Sequence, residues 1–261
     1  MKVATWNVNS LKVRLPHVLD WLRARPVDVL CLQETKLVDE NFPAAALLDA
    51  GYACRYAGQK TYNGVAVLVR SGLAIGAADV VVDVPGLQDP QRRLLAVTVA
   101  GIRVVCAYFP NGESVDSEKY PYKLRWIGAL TAWLRDELRQ HEMLLLAGDY
   151  NIAPEPRDVH DPAQWEGKVL FSDAERTAFR ELLALGLADC FRLFEQAERS
   201  YTWWDYRNLA FRRKMGLRID HILASPALAA RCNACEIDVE PRRKEQPSDH
   251  APVIATFAVD R

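Results

Sequence analysis

Asp249 and His250 stand side by side ahead of the chain's final apolar run, Val253-Ile254-Ala255, with Pro252 fixing the backbone just before it. A carboxylate beside an imidazole suits phosphate chemistry: the acid helps hold a divalent cation while the imidazole manages a proton or a developing charge. Successive strand residues point to opposite faces, so the two can serve one site only where the strand entrance is irregular. An isolated Asp-His pair is more often part of a turn. Four other segments change that balance. Met143 to Ala147 is a short apolar run ending in Gly148-Asp149-Tyr150-Asn151, and Leu30-Cys31-Leu32 ends in Gln33-Glu34-Thr35-Lys36. Asp220 follows Gly216-Leu217-Arg218-Ile219, and the N-terminal run to Val8 carries Asn7 and Asn9 on one face. Five strands that all end in Asp, Glu, Asn or His make a constructed site.

Glu34, Asp149, Asp220 and Asp249 would bring four negative charges into one cleft and repel a phosphodiester. A divalent cation is therefore expected, and oxygen-only ligands favour magnesium, with manganese able to substitute, over zinc. Glu34 is the strongest ligand candidate, helped by Asn7 and Asp249, and Asp149 with Asn151 leaves room for a second ion. The ion would act as a Lewis acid on a non-bridging oxygen and stabilise the leaving 3′-oxygen.

These groups need strands to carry them. Apolar runs predict strands near 3–8, 28–33, 53–57, 64–70, 94–100, 103–109, 143–148, 201–203, 219–224, 235–240 and 252–258, with Ala100-Gly101 turning a hairpin. Helical spacing marks Leu15–Leu22, Pro43–Asp49, Tyr122–Gln140 and 173–185. Strand-rich halves separated by helices suggest two packed sheets with helices outside.

The chain has 261 residues, of which 50% are hydrophobic, ample for a buried core. No repeat, low-complexity stretch or flexible linker divides it, so residues 1–261 are expected to form a single catalytic domain. No signal-type segment follows Met1 and nowhere do eighteen apolar residues run together, so no membrane association and a cytoplasmic location are expected. Six cysteines are scattered; Cys232 and Cys235 have zinc-like spacing but no second pair. Basic and acidic residues number 33 and 34, a net charge of −1. The positive charge is grouped, however: Arg207, Arg212, Arg213, Lys214 and Arg218, then Arg242, Arg243 and Lys244, then Lys119, Lys123 and Arg125. Two groups feed directly into strands carrying acids, which favours a phosphate-tracking rim over ordinary solvated surface.

Read in order, TWNVNSL, LQETK, GDYNIAP, GLRIDHILAS and PSDHAPV resemble the exonuclease III class of bacterial apurinic/apyrimidinic (AP) endonucleases, within the endonuclease/exonuclease/phosphatase superfamily. NGVAVLVR, PNGE, YTWWDYR and GLRID resemble the AP-endonuclease branch in particular. The resemblance spans essentially the whole chain. It implies a four-layer α/β sandwich, two packed mixed β-sheets flanked by helices, with the site where the strand ends of both sheets meet. It implies a metal-dependent DNA-repair hydrolase that cuts 5′ to abasic sites and trims or unblocks DNA 3′ ends in base excision repair. The expected partner is double-stranded DNA bearing abasic sites or damaged or recessed 3′ ends, bound by a monomer that is nucleoid-associated when on DNA.

By the same resemblance Asp149 is the general base, Asn151 orients the phosphate, and His250, partnered by Asp220, stabilises the transition state. Tyr108 matches the family's catalytic tyrosine and Asn111 a phosphate contact. Asn9, Lys36, Arg207 and Lys214 are carried over as DNA contacts, and Trp203, Leu217 and Ile219 match the wall of the abasic pocket. One position departs: Leu170 stands before Phe171-Ser172 where many relatives carry a small residue, so the balance between AP incision and 3′-end trimming stays open. A superfamily phosphatase acting on inositol phosphates or lipids would share Asn7, Glu34, Asp149 and His250 but would have no use for the pocket or the basic runs. A non-catalytic nucleic-acid binder would have lost some of Glu34, Asp149, Asp220 or His250, and all are present.

Overall fold

The computed structural model describes residues 1–76 and 79–259. The strands are β1 (Lys2–Asn7), β2 (Val29–Gln33), β3 (Tyr52–Ala57), β4 (Val65–Arg70), β5 (Val81–Val82), β6 (Leu94–Val99), β7 (Ile102–Tyr108), β8 (Leu144–Asp149), β9 (Ala188–Asp189), β10 (Asp220–Ala224), β11 (Cys232–Ile237) and β12 (Val253–Phe257). The α-helices are α1 (Leu11–Ala24), α2 (Ala44–Asp49), α3 (Lys119–Gln140), α4 (Pro162–Trp165), α5 (Asp173–Ala184) and α6 (Pro226–Ala229). One six-stranded sheet runs β11-β12-β1-β2-β4-β3 and the other β5-β6-β7-β8-β10-β9.

Each sheet has one parallel pair, β1 with β2 and β7 with β8. Parallel neighbours need a long crossover, and α1 and α3 supply the two. The sheets pack face to face through Val3, Val29, Cys31, Val67 and Val69 on one side and Leu95, Val97, Val104, Cys106, Leu145 and Ile222 on the other. The alternate residues face outward. Ala4, Trp6, Leu30, Leu32 and Leu68 pack against Leu11, Val18, Trp21 and Leu22 of α1 and Leu47 of α2. Leu94, Ala96, Val105 and Leu146 pack against Trp126, Ile127, Leu130 and Leu134 of α3 and Phe179 and Leu182 of α5. Both faces of each sheet are thus covered, which is why the strands read as continuous apolar runs rather than alternations. The result is the four-layer sandwich.

Some boundaries differ from expectation. Helix α1 begins at Leu11, four residues before the predicted start, with Pro16 inside it. Pro16 lies beyond the first turn, so the helix forgoes the i−4 hydrogen bond there. Residues 201–203 form no strand; Trp203 makes single bridges to Leu217 and to His250 instead. β11 lies about three residues earlier than expected, with a register shift between Cys232 and Ala234. The short strands β5 and β9 were below the length that apolar runs reveal. The Ala100-Gly101 turn is as read: both residues have positive φ, 46° and 80°, the conformation a tight two-residue hairpin demands. The proposed span of 1–261 includes residues 77–78 and 260–261, which lie outside the described residues.

Candidate active site

The site lies where the strand ends of the two sheets converge. β1 ends at Asn7 and β2 one residue before Glu34, and these lie in one sheet; β7 ends at Tyr108 and β8 at Asp149, in the other. Register fixes the rest: Asp149 is paired across the ladder with Tyr108 on one side and Asp220 on the other. Asp249 and His250 precede β12 rather than belonging to it, the irregular entrance that lets both face inward.

Asn7 links the sheets. Its Nδ2 donates to Glu34 Oε1 at 2.8 Å and to Asp149 Oδ2 at 2.9 Å. Its Oδ1 accepts from the Asn9 backbone N–H at 3.0 Å, so Asn7 presents its amide nitrogen, not an oxygen, to the acids. Among the described residues, ligand atoms of Glu34, Asp149 and His250 lie within 4.8 Å of one another. His250 Nδ1 donates to Asp220 at 2.9 Å, and its Nε2 lies 3.8 Å from Asp149 Oδ2. Asp249 stands apart from that cluster, its two oxygens accepting from Asn9 Nδ2 at 3.0 Å and Trp203 Nε1 at 2.9 Å. Lys36 Nζ reaches Asn9 Oδ1 at 2.6 Å and Glu34 Oε2 at 2.8 Å. Asn151 sits in the left-handed region at φ 51°, held by its N–H on Asp149 Oδ1 at 2.9 Å, and its Oδ1 accepts from Asn111 Nδ2 at 2.9 Å.

Burial and neighbouring charges together set the protonation states. Burial pushes the Asp149 carboxyl up to about 7, against the pull of His250. For His250 burial alone would favour the neutral ring, but Asp220 and then Asp149 outweigh it and raise the imidazole to about 10. His250 is therefore an imidazolium, a donor rather than a metal ligand. Burial, then the charge of Glu34, lifts the Tyr108 phenol well above its ordinary value, so it too is a donor. The cleft thus holds carboxylates, two asparagine amides and two fixed donors, which suits a hard cation and a phosphoryl oxygen.

The structure redraws part of the sequence reading. Arg218 is fully buried, paired with Asp158 and Asp189, and does not belong to the basic rim. Arg242 is buried against Trp204, Tyr206 and Phe211 and donates to the Ser248 carbonyl at 3.0 Å. Lys123 is wholly buried as well. Arg207 and Lys214 are exposed as expected. Leu217 and Ile219 do not line an open pocket: both are buried in one cluster with Leu170, Phe171, Val159 and Ala153, and of the three wall residues only Trp203 is partly exposed.

Other contributors were not picked out from the sequence. Ser248 Oγ donates to the Asn7 carbonyl at 2.7 Å and accepts the His250 N–H at 3.2 Å, so it joins β1 to the turn that carries Asp249 and His250. A serine two residues before His250 is a local turn signal that points to this role. Thr202 Oγ1 accepts the N–H groups of Ile219 and Asp220, each at 3.0 Å, and fixes the backbone of Asp220. Arg93 lies over the Tyr108 ring at 4.8 Å. Neither has a local sequence signal.

The model of the Endonuclease/Exonuclease/phosphatase family matches residues 4–250, from the first strand through His250. The chain belongs to that family. Within it the branch is that of exonuclease III: exodeoxyribonuclease III of Haemophilus influenzae is 36% identical over 98% of this chain and 100% of its own length. Among solved structures, the 3′ phosphatase NExo from Neisseria, bound to a product DNA hairpin, superposes with a TM-score of 0.95 at 51% identity, covering 99% of this chain and 100% of that one. An AP endonuclease from Archaeoglobus fulgidus superposes with a TM-score of 0.93 at 40% identity, covering 99% and 100%.

Proposed function

We propose that this exonuclease III-type DNA-repair nuclease works chiefly at DNA 3′ ends, removing nucleotides or 3′ phosphates, with incision at abasic sites as the weaker activity. The observation that carries the weighting is Leu170. It is 5% exposed and packs with Leu217 and Ile219 against Trp203, and on this proposal its side chain takes space that an extrahelical sugar would otherwise enter. Its φ of 75° is a conformation that costs a branched side chain roughly 1–2 kcal/mol, so the leucine is held there against its own preference. The 51% identity to a protein described as a 3′ phosphatase, against 40% to one described as an AP endonuclease, leans the same way.

Asp149 is assigned the role of general base for the attacking water, and its neighbour Asn151, with Asn111, that of orienting the phosphate. His250, kept protonated by Asp220, and Tyr108 donate to the oxygens on which charge develops. Glu34 and Asp149 would hold a divalent cation, for which magnesium is proposed and manganese is expected to substitute, and when bound the ion supplies Lewis-acid stabilisation of the phosphate. Asn7 then serves as a bridge that orients both carboxylates, and Asp249 orients Asn9 and Trp203. Asn9, Lys36, Arg207 and Lys214 are proposed DNA contacts, and Trp203 a partly exposed wall beside the scissile nucleotide.

Residues 1–261 are proposed to act as one catalytic domain, which the pairing of β1 with β12 supports. A monomer is proposed. Among the described residues no helix is long and apolar enough to cross a membrane, which fits the proposed cytoplasmic, nucleoid-associated location. The test compares duplexes bearing a 3′ phosphate, a recessed 3′ end or an abasic site, with magnesium, at equal enzyme. Higher kcat/KM on the two 3′-end substrates is expected; abasic incision at equal or greater efficiency would overturn the weighting.

A further inference from the structure

Lys123 lies on the first turns of α3, and none of its surface is exposed. A buried ammonium is tolerable only if its donors are satisfied and its charge is matched. Here both conditions are met by one arrangement. Nζ donates to the backbone carbonyl of Asn151 at 2.7 Å, to the carbonyl of Asn111 at 3.1 Å, and to the carboxylate of Glu175, also fully buried. The loop at Asn111 wraps the lysine stem closely: a Cβ on Gly112, at φ 91°, would meet Lys123 Cδ at 3.2 Å.

Glu175 carries the connection onward. Its Oε1 accepts the Leu170 N–H at 3.0 Å, and its Oε2 accepts the Ser172 N–H at 3.0 Å and Oγ at 2.6 Å. The Leu170 carbonyl in turn accepts the Ala153 N–H at 2.7 Å. One buried ion pair therefore grips the two asparagines proposed to face the phosphate and the turn that carries Leu170. Both Asn151 and Leu170 have left-handed backbones, which persist only where neighbours over-determine them.

We propose that Lys123 is a positioning residue: with Glu175 it forms a clasp that sets the orientation of Asn151 and Asn111 and locks them in register with Leu170. It touches no substrate and acts through the backbone of residues that do. The proposal rests on the assignment of Asn151 to the phosphate, and its test separates the two.

The full-length protein is assayed on a 3′-phosphate duplex with magnesium, as Lys123→Met, Lys123→Met/Glu175→Gln and Asn151→Ala. Affinity for the same duplex is measured by anisotropy in EDTA, and melting temperature is recorded alongside. Removing the ammonium alone strands a buried carboxylate and is expected to lower the melting temperature; the double variant removes that charge and is expected to recover most of the loss. Turnover should not follow. In the double variant kcat is expected to stay about ten- to a hundredfold down, the scale of an ångström's misplacement, with KM and metal-free affinity within about threefold. Recovery of kcat together with the melting temperature would overturn the proposal, since the pair would then be structural only. So would a loss seen in affinity rather than kcat. If Lys123→Met fails to fold, the double variant alone decides between these outcomes. Should Asn151→Ala retain kcat, the assignment of Asn151 fails and takes the clasp's function with it; should Asn151→Ala lose kcat while the double variant keeps it, the clasp alone is refuted.

Discussion

Replacing Leu170 by glycine separates strain, packing and substrate choice in one residue. Deleting a buried leucine side chain costs about 3 kcal/mol when the surroundings do not collapse. Against this, the backbone at φ 75° is free of penalty for glycine, which returns about 1 kcal/mol. A net loss of about 2 kcal/mol is expected, or about 4–8 °C in melting temperature for a chain of this length. Leu170→Ala makes nearly the same cavity but keeps a Cβ in the left-handed region, so it should be the less stable of the two by about 1 kcal/mol. If the leucine side chain is what excludes an extrahelical sugar, both variants should gain abasic incision relative to 3′-phosphate removal, by tenfold or more. The glycine variant should gain at least as much as alanine despite its different stability. The assay is kcat/KM for the two substrates measured in parallel, with melting curves on the same preparations. A ratio of activities that stays within twofold of the parent in both variants would refute the exclusion of the sugar by Leu170, whatever happened to stability.

Cleavage should be abolished by EDTA and restored by magnesium or manganese, and Glu34→Ala should raise the magnesium concentration needed for half-maximal rate; an unchanged titration removes Glu34 from the ligand set. His250→Asn and Asp149→Asn should each lower kcat by about two orders of magnitude while DNA affinity persists, because groups that act on the transition state act on kcat. The pH profile should be bell-shaped. Asp149 must be ionised to accept a proton, so activity rises as pH passes about 7, and His250 must be protonated to donate, so activity falls as pH passes about 10. Bound magnesium favours the ionised carboxylate, so the acid limb should move to lower pH as magnesium is raised, and an acid limb indifferent to the metal would contradict the placement of Asp149 beside it. Trp203→Ala should lower abasic incision more than 3′-end trimming if the indole borders the sugar; equal losses with a falling melting temperature would make Trp203 a packing residue.

The site was legible because each of its members interrupts an apolar run at a strand end. Asn7, Glu34 and Asp149 each end or follow, and Asp220 opens, a stretch that has to be buried on both faces, and a polar residue there needs a reason beyond solubility. The layered fold was legible for the same cause: runs such as Leu144 to Ala147 are too short for helices and too apolar for a half-exposed sheet. What stayed hidden depends on partners remote in the chain. Nothing within twenty residues of Thr202 except the Ile219-Asp220 backbone it caps gives it meaning, and the face that Leu217 and Ile219 present is decided by Leu170, nearly fifty residues earlier.

The basic residues show the limit most clearly. Arg218, Arg242 and Lys123 each sit in a run of positive charge, and a run says how many cations there are but not which way each side chain turns. Helical and strand periodicity divides any such run between two faces. Lys119 points to solvent and pairs with Glu113, while Lys123, one turn later, points inward to Glu175. Arg243 is exposed beside Glu240, while its neighbour Arg242 is enclosed by three aromatic rings and steadies the turn that carries Asp249 and His250. Three of the eleven grouped cations that composition offers to a DNA rim are therefore spent inside the protein, directly behind groups proposed to be catalytic. Arg242 supports the His250 turn, Arg218 donates to His221 Nδ1 while that ring's Nε2 donates to the Ile152 carbonyl, next to Asn151, and Lys123 holds the Asn151 carbonyl itself. A buried cation is costly unless it is bonded: Lys123 and Arg218 each hold several carbonyls or carboxylates, and Arg242 holds the Ser248 and Trp204 carbonyls. Such rigidity is what a site needs when its function is to keep donors aimed at a phosphate before the phosphate arrives.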